Sequence, residues 1–394
     1  MTKVLAFSQH AFRSLRIRNY RLFFTGQLVS LTGTWMQSVA MAWLVLRLGG
    51  GGTAVGTVAG LQFLPVLVAG PWGGLLADRV DKRRALIATQ VFSGVPALAL
   101  TIVTATGVVD IWMVFVASFL NGCAFVVDAP TRQAFVVEMV GEAELTNAIG
   151  LNSAMFNVAR VVGPAIGGLL IPVVGIWPCF LLNTLSFAAV VGGLLAMRPE
   201  ELLPVERAPR ARGQLREGLR HVWSSTERRT LLVALAVVGL FALNTNVVLP
   251  LLARFTFDGD AGTLGTLTAV TGLGSLAGAL GAAGRESPSP RLLVGSCALA
   301  AVALGSAGVA PTFWLVLVAL ALFGAGVMAF VVTTNALLQL SVDAAFRGRV
   351  MALYSLVLVG STPIGGPLTG WVAEHFGARV ALGAGGVGTV AAVA

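Results

Sequence analysis

Apolar residues in this chain come in blocks of about 20, the length of helix that crosses a ~30 Å hydrocarbon core. Along the chain the blocks fall near 22–46, 54–76, 85–106, 110–130, 145–172 and 177–197. A polar stretch over 198–229 interrupts them. Six more follow near 230–252, 262–283, 291–310, 312–336, 348–373 and 378–394. The pattern predicts an all-α integral membrane protein with twelve transmembrane helices in two six-helix bundles. Its domains are residues 1–197, a cytoplasmic linker over 198–229, and residues 230–394. Only 15 residues follow Arg379. That is about 22 Å of helix, so the last span either starts before Arg379 or is incomplete.

Composition agrees. Of 394 residues, 56% are hydrophobic and 11% charged, against about 25% charged in soluble domains. So much apolar surface needs lipid as part of its solvent. The 48 glycines suit close packing of membrane helices, where small residues let backbones approach. The first 20 residues are basic and lead straight into an apolar block, which reads as a retained helix rather than a cleaved signal.

Charge sets the orientation. With both termini inside, the cytoplasmic segments hold 22 Lys and Arg against three outside, namely Arg47, Arg254 and Arg379. This positive-inside bias places the termini in the cytoplasm of a bacterial-type inner membrane. It also accounts for the net charge of +9 without nucleic acid as a partner. Within the 198–229 linker, Leu215, Leu219 and Val222 recur at helical spacing among basic residues. They predict an amphipathic helix on the inner membrane face.

Enzyme chemistry finds no constellation. Cys123, Cys179 and Cys297 are far apart, and His10, His221 and His375 lie in different loops. No metal spacing, activated nucleophile or phosphate loop is present. The chain is expected to be a non-enzymatic carrier with no metal and no cofactor.

The two halves echo one another. Gly163-Pro164-Ala165-Ile166-Gly167 has a counterpart in Gly366-Pro367-Leu368-Thr369-Gly370. Parallel repeats with a site between them suit a transporter. The loop after the second block reads Gly74-Leu75-Leu76-Ala77-Asp78-Arg79-Val80-Asp81-Lys82-Arg83-Arg84. This resembles the loop signature of the major facilitator superfamily, with Asp81 where a glycine is usual. Gly150, Ala159, Gly163, Pro164, Gly167 and Gly168 resemble the superfamily's antiporter signature, with alanine for one glycine. Further similarity is to the enterobactin-exporter and macrolide-efflux branch. It is carried by Phe12-Arg13-Ser14-Leu15-Arg16, Asn19-Tyr20-Arg21, Pro130 to Phe135, Asn147-Ala148 and Arg347-Gly348-Arg349-Val350-Met351.

The resemblance implies a secondary active transporter. It would export a small amphipathic molecule (a drug, siderophore or metabolite) by alternating access, as a monomer, using the proton gradient. Import or facilitated passage is the alternative, and a non-transporting sensor a more distant one. Asp78 and Arg79 would form a cytoplasmic latch, with Asp78 at the helix start near Gly348. Lys82 would pair with Asp128, the acid at the inner end of the fourth span. Asp128 is also the accessible acid for proton coupling. The second-half counterpart, Gly281 to Arg285, lacks the acid.

Arg160 sits within a span. A charge at that depth faces a wet cavity or solute, or else an interhelical partner. The resemblance implies a cavity lined by the first, fourth, seventh and tenth spans. Their polar residues are Gln27, Thr34, Gln37, Asn121, Asn244, Asn246 and Asn335. Trp35, Met36 and Met41 add adaptable apolar area. Each polar residue either meets solute or bonds a neighbouring helix.

Overall fold

A computed structural model describes residues 12–203, 214–285 and 287–392. The side chains of residues 71, 75, 78, 214–216, 218, 344 and 345 fall outside the description. Among the described residues the regular structure is entirely helical. Among the described residues ten helical stretches are long and apolar enough to cross a bilayer, and two of them, Thr226–Thr256 and Phe346–Phe376, each take in consecutive helices.

In chain order the helices are α1 (Arg18–Arg47), α2 (Gly52–Arg79), α3 (Lys82–Ala105), α4 (Ile111–Val174) and α5 (Trp177–Leu195). Then come α6 (Gln214–Trp223), α7 (Thr226–Phe241) and α8 (Thr245–Leu251). The remainder are α9 (Ala261–Ala283), α10 (Pro290–Val309), α11 (Phe313–Leu340), α12 (Ala344–Gly360), α13 (Thr362–Phe376) and α14 (Ala378–Val390).

Helix α4 is 64 residues long, about 96 Å if straight. It is not straight. Gly141 has φ 68° and ψ 176°, a conformation open to glycine because it has no Cβ. The chain turns there, and residues 111–140 and 142–174 form two limbs. Helix α14 has 13 residues, about 20 Å, short of a full crossing.

Helix starts follow ordinary capping chemistry. Asp81, Asp260, Ser289 and Thr312 accept backbone N–H bonds in the first turns of α3, α9, α10 and α11. Asp81, unusual in the loop signature, therefore serves as the cap of α3. The second limb of α4 and helix α13 both end at a left-handed glycine, Gly175 and Gly377, each with φ 93°. These sit 202 residues apart and extend the internal repeat read from the Gly-Pro segments.

The chain forms two compact units, residues 1–40 with 69–208, and 41–68 with 209–394. Residues 41–68, grouped by sequence with the N-terminal half, pack with the second unit.

The first unit's core gathers Tyr20, Phe23, Leu86, Phe135, Met139, Leu151 and Leu194. At its edge the segments that resemble the efflux branch meet. Ser14 bonds Asn147 (2.7 Å), the Tyr20 hydroxyl donates to the Ala148 carbonyl (3.0 Å), and Arg13 pairs with Glu144 (2.7 Å). Asn19 exchanges bonds with the Arg198 backbone. These residues therefore fasten the start of α1 to α4 and to the end of α5.

In the second unit α11 packs on α9 and α10. Gly274 and Gly278 of α9 lie against the backbone at Ala321 and Ala325, so close that a Cβ would overlap it. The segment between the two halves holds helix α6. Val222 is fully buried, whereas Leu219 and Trp223 are exposed. Rather than only lying on a surface, α6 docks on α12. Glu217 pairs with Arg349 (2.7 Å), and the His221 ring stacks on Phe346 at 4.3 Å.

Candidate functional site

The second limb of α4 presents its small residues to α1. A Cβ on Gly163 would lie 2.6 Å from the Thr32 carbonyl oxygen and 2.6 Å from Trp35 Cβ. One on Gly167 would lie 3.3 Å from Met36 Cγ. Ala159, Gly163, Pro164, Gly167 and Gly168 are all buried. Gly150 is exposed, and a Cβ there would meet nothing within 4 Å. The signature thus divides: Gly163 and Gly167 form the α1 contact, and Gly150 takes no part in it.

Arg160 lies on this limb about 21 Å of helix before Val174. Its guanidinium carbon is 5.8 Å from the centre of the Trp35 ring. Trp35 meets Phe156 edge to face, with centroids 5.8 Å apart and planes at 75°. Phe156 precedes Arg160 by four residues, the spacing that puts both on one helix face. Among the described residues Arg160 makes no ion pair and no hydrogen bond. The interhelical charge partner is absent from this set.

The polar cavity candidates divide as well. Gln37 is buried, and its Oε1 accepts from Asn183 Nδ2 at 2.7 Å, tying α1 to α5. Thr34 donates back to the Ser30 carbonyl (2.9 Å). Gln27 is buried with its Nε2 unpartnered. Asn121 is half-buried on the first limb of α4. In the second unit Asn244 sits at the break between α7 and α8. Its Nδ2 donates to the Gly239 and Leu240 carbonyls at 3.0 Å each. Asn246 is exposed, and Asn335 accepts from Gln339 at 2.6 Å.

Lys82 corrects an expectation. It pairs with Glu138 at 2.5 Å, not with Asp128. The first limb of α4 runs on to residue 140, so the acid near its end is Glu138. Asp128 lies ten residues earlier, about 15 Å along the axis. Asp128 is buried and fully engaged: Arg132 pairs with it, and Thr89 (3.0 Å) and Gln90 (2.9 Å) donate to its Oδ1. Arg132 accordingly belongs to the helix and not to a loop. The Asp78 side chain lies outside the described set, and Arg79 is exposed. Charge reversal tests the pair. Lys82→Glu or Glu138→Lys alone should cost about 1–3 kcal/mol and lower the thermal midpoint in detergent. The double reversal should regain most of that loss, and combining Lys82→Glu with Asp128→Lys should not.

No group of three or more His, Cys, Asp or Glu among the described residues could hold a metal.

The chain is helical and multiply spanning, with a glycine-packed contact and a charged residue within a span. Crystal structures agree on the fold. The nucleoside transporter NupG matches with a TM-score of 0.75 at 12% identity, covering 96% of this chain and 97% of that one. Residues 9–394 match the family model described as transmembrane secretion effector. The chain belongs to that family, a group of major facilitator superfamily transporters, and it is a carrier and not an enzyme.

Two relatives span most of its length and a third less than half. Macrolide efflux protein A of Streptococcus pyogenes is 24% identical over 378 residues, 92% of each chain. The multidrug efflux pump Tap of Mycobacterium bovis is 28% identical over 363 residues, 88% of this chain and 86% of its own. The staphyloferrin A transporter of Staphylococcus aureus is 26% identical over 172 residues, 43% of either chain.

Proposed function

We propose that this chain exports a small amphipathic molecule from the bacterial cytoplasm by alternating access, driven by the proton gradient and without a cofactor. The observation that carries the reading is its likeness, over about nine-tenths of its length, to macrolide efflux protein A and Tap.

In this reading twelve spans form two six-helix bundles, joined by the linker that holds α6. The limbs of α4 count as two spans, and α14 belongs to the last. Both termini face the cytoplasm of the inner membrane, and the working unit is a monomer. The glycine contact between α1 and α4 fixes the first bundle as one body, which is what rocking about a central cavity requires. Arg160 faces that cavity or its solute. Asn121, half-buried, is the candidate of the first bundle left to meet solute, since Gln37 is engaged with Asn183 and Gln27 is sealed from the surface. Asp128, held by three donors, is a poor proton carrier, so coupling rests on another group or on the solute's own proton.

A substrate scan in cells tests the proposal. Accumulation of a panel of amphipathic compounds is measured with and without the chain, before and after a protonophore. Chain-dependent exclusion of at least one compound, lost with the protonophore, is the expected result. Chain-dependent accumulation would establish import, and exclusion unaffected by the protonophore would remove proton coupling.

A further inference from the structure

We propose that Arg160, Trp35 and Phe156 form a recognition site for an aromatic anion, a flat apolar solute carrying a carboxylate or an equivalent negative group. This rests on the transport reading above and names the solute class of the same chain.

The first observation is a charge without a counter-charge. A guanidinium within a span is retained only where something offsets its burial. The described ion pairs engage Arg13, Lys82, Arg132, Arg198 and Arg349. Arg160 is in none. Helix α1 contains no Asp or Glu, and the second limb of α4 has none after Glu144. The face of Trp35 attracts the cation but leaves its charge in place.

The second observation is access. Arg18, Arg132 and Arg228 each have a nitrogen sealed from the surface without a partner. No Arg160 nitrogen is among them. Its donors are unused yet reachable. A guanidinium in that condition presents a planar fork that matches two carboxylate oxygens.

The third observation is the wall beside it. Phe156 is 45% exposed, and Trp35 is partly exposed. Their edge-to-face arrangement leaves ring surface next to the cation. A flat apolar body fits that surface while its anionic end meets Arg160. The pieces agree on one ligand: charge from the fork, flatness from the rings. A lipid phosphate supplies the charge but not the flat body.

The test uses the full chain in phosphatidylcholine nanodiscs, with empty discs subtracted for partitioning. 2-Naphthoate and its neutral amide, 2-naphthamide, are compared by equilibrium dialysis. Naphthoate is expected to bind at least about tenfold more tightly. Arg160→Gln should erase that preference, Arg160→Lys should narrow it, and Trp35→Ala should weaken both ligands alike. If Arg160→Gln does not fold, the Lys and Ala variants carry the test. Equal binding of the two ligands, no binding of naphthoate, or an unchanged preference in Arg160→Lys would overturn the proposal. Displacement of naphthoate when phosphatidylglycerol is added would assign the site to lipid and overturn it too. Export of a neutral or cationic compound by protein that shows no naphthoate preference would leave the transport reading standing and remove this one. A clear preference without flux would do the reverse.

Discussion

Arg160→Gln is expected to lower transport at least about tenfold while the protein reaches the membrane in normal amounts. Glutamine keeps most of the length and two donors but removes the charge and the planar fork. A charge-assisted hydrogen bond is worth about 1.5–3 kcal/mol, which sets the expected loss. Stability should change little or rise, because no acid among the described residues is left unpaired by the substitution. Losing the Trp35 stack costs about 0.5–2 kcal/mol, and removing a poorly compensated charge from the span offsets that. Quantitative immunoblotting of membranes alongside the accumulation assay checks both halves. Normal transport in this variant would show that Arg160 is only a packing element against Trp35.

The second large effect concerns Gly163. A side chain there begins 2.6 Å from the Thr32 carbonyl and from Trp35 Cβ, and 3.0 Å from the Met36 amide nitrogen. Two of those three atoms are backbone and cannot rotate away, so α1 and α4 must separate. Overpacking of this kind costs about 1–3 kcal/mol or more. It also disturbs Trp35, and through it Arg160. Gly163→Leu is therefore expected to lose nearly all transport and to show a clearly lower thermal midpoint in detergent. Gly150→Leu is the control within the same signature. It is exposed with open space around it, so it should fold and melt like the parent. Equal damage from both substitutions would mean that the signature acts through something other than the α1 contact.

Much of this was legible in the sequence, and the exceptions have physical causes. Apolar blocks mark spans because lipid selects composition over about 20 residues at once. They do not mark where a helix outruns the hydrocarbon. The first limb of α4 continues through Arg132 and Glu138, whose polarity reads as a loop, and this extension hands Lys82 to Glu138 and leaves Asp128 with Arg132. Arg160 was conspicuous because a charge deep in a span always demands an account. Phe156, its ring neighbour, could have been found from its position four residues earlier. The buried amides could not be sorted in advance. Gln37 and Gln27 lie on one helix, yet one meets Asn183 and the other meets nothing among the described residues. That difference is set by which helix lies opposite, and periodicity along a single helix does not carry it. Asn246 is exposed, just past the break between α7 and α8 where Asn244 bonds the Gly239 and Leu240 carbonyls.

Export by alternating access is tested most directly by flux of a single purified component. The chain is reconstituted in proteoliposomes, and movement of a compound excluded in the cell scan is followed with the same compound absent or present on the far side. Saturable, chain-dependent flux is expected, quickening when the far side is loaded, rising with an imposed proton gradient, and lost in Arg160→Gln. Saturable binding with no chain-dependent flux across the vesicle membrane would contradict export by alternating access.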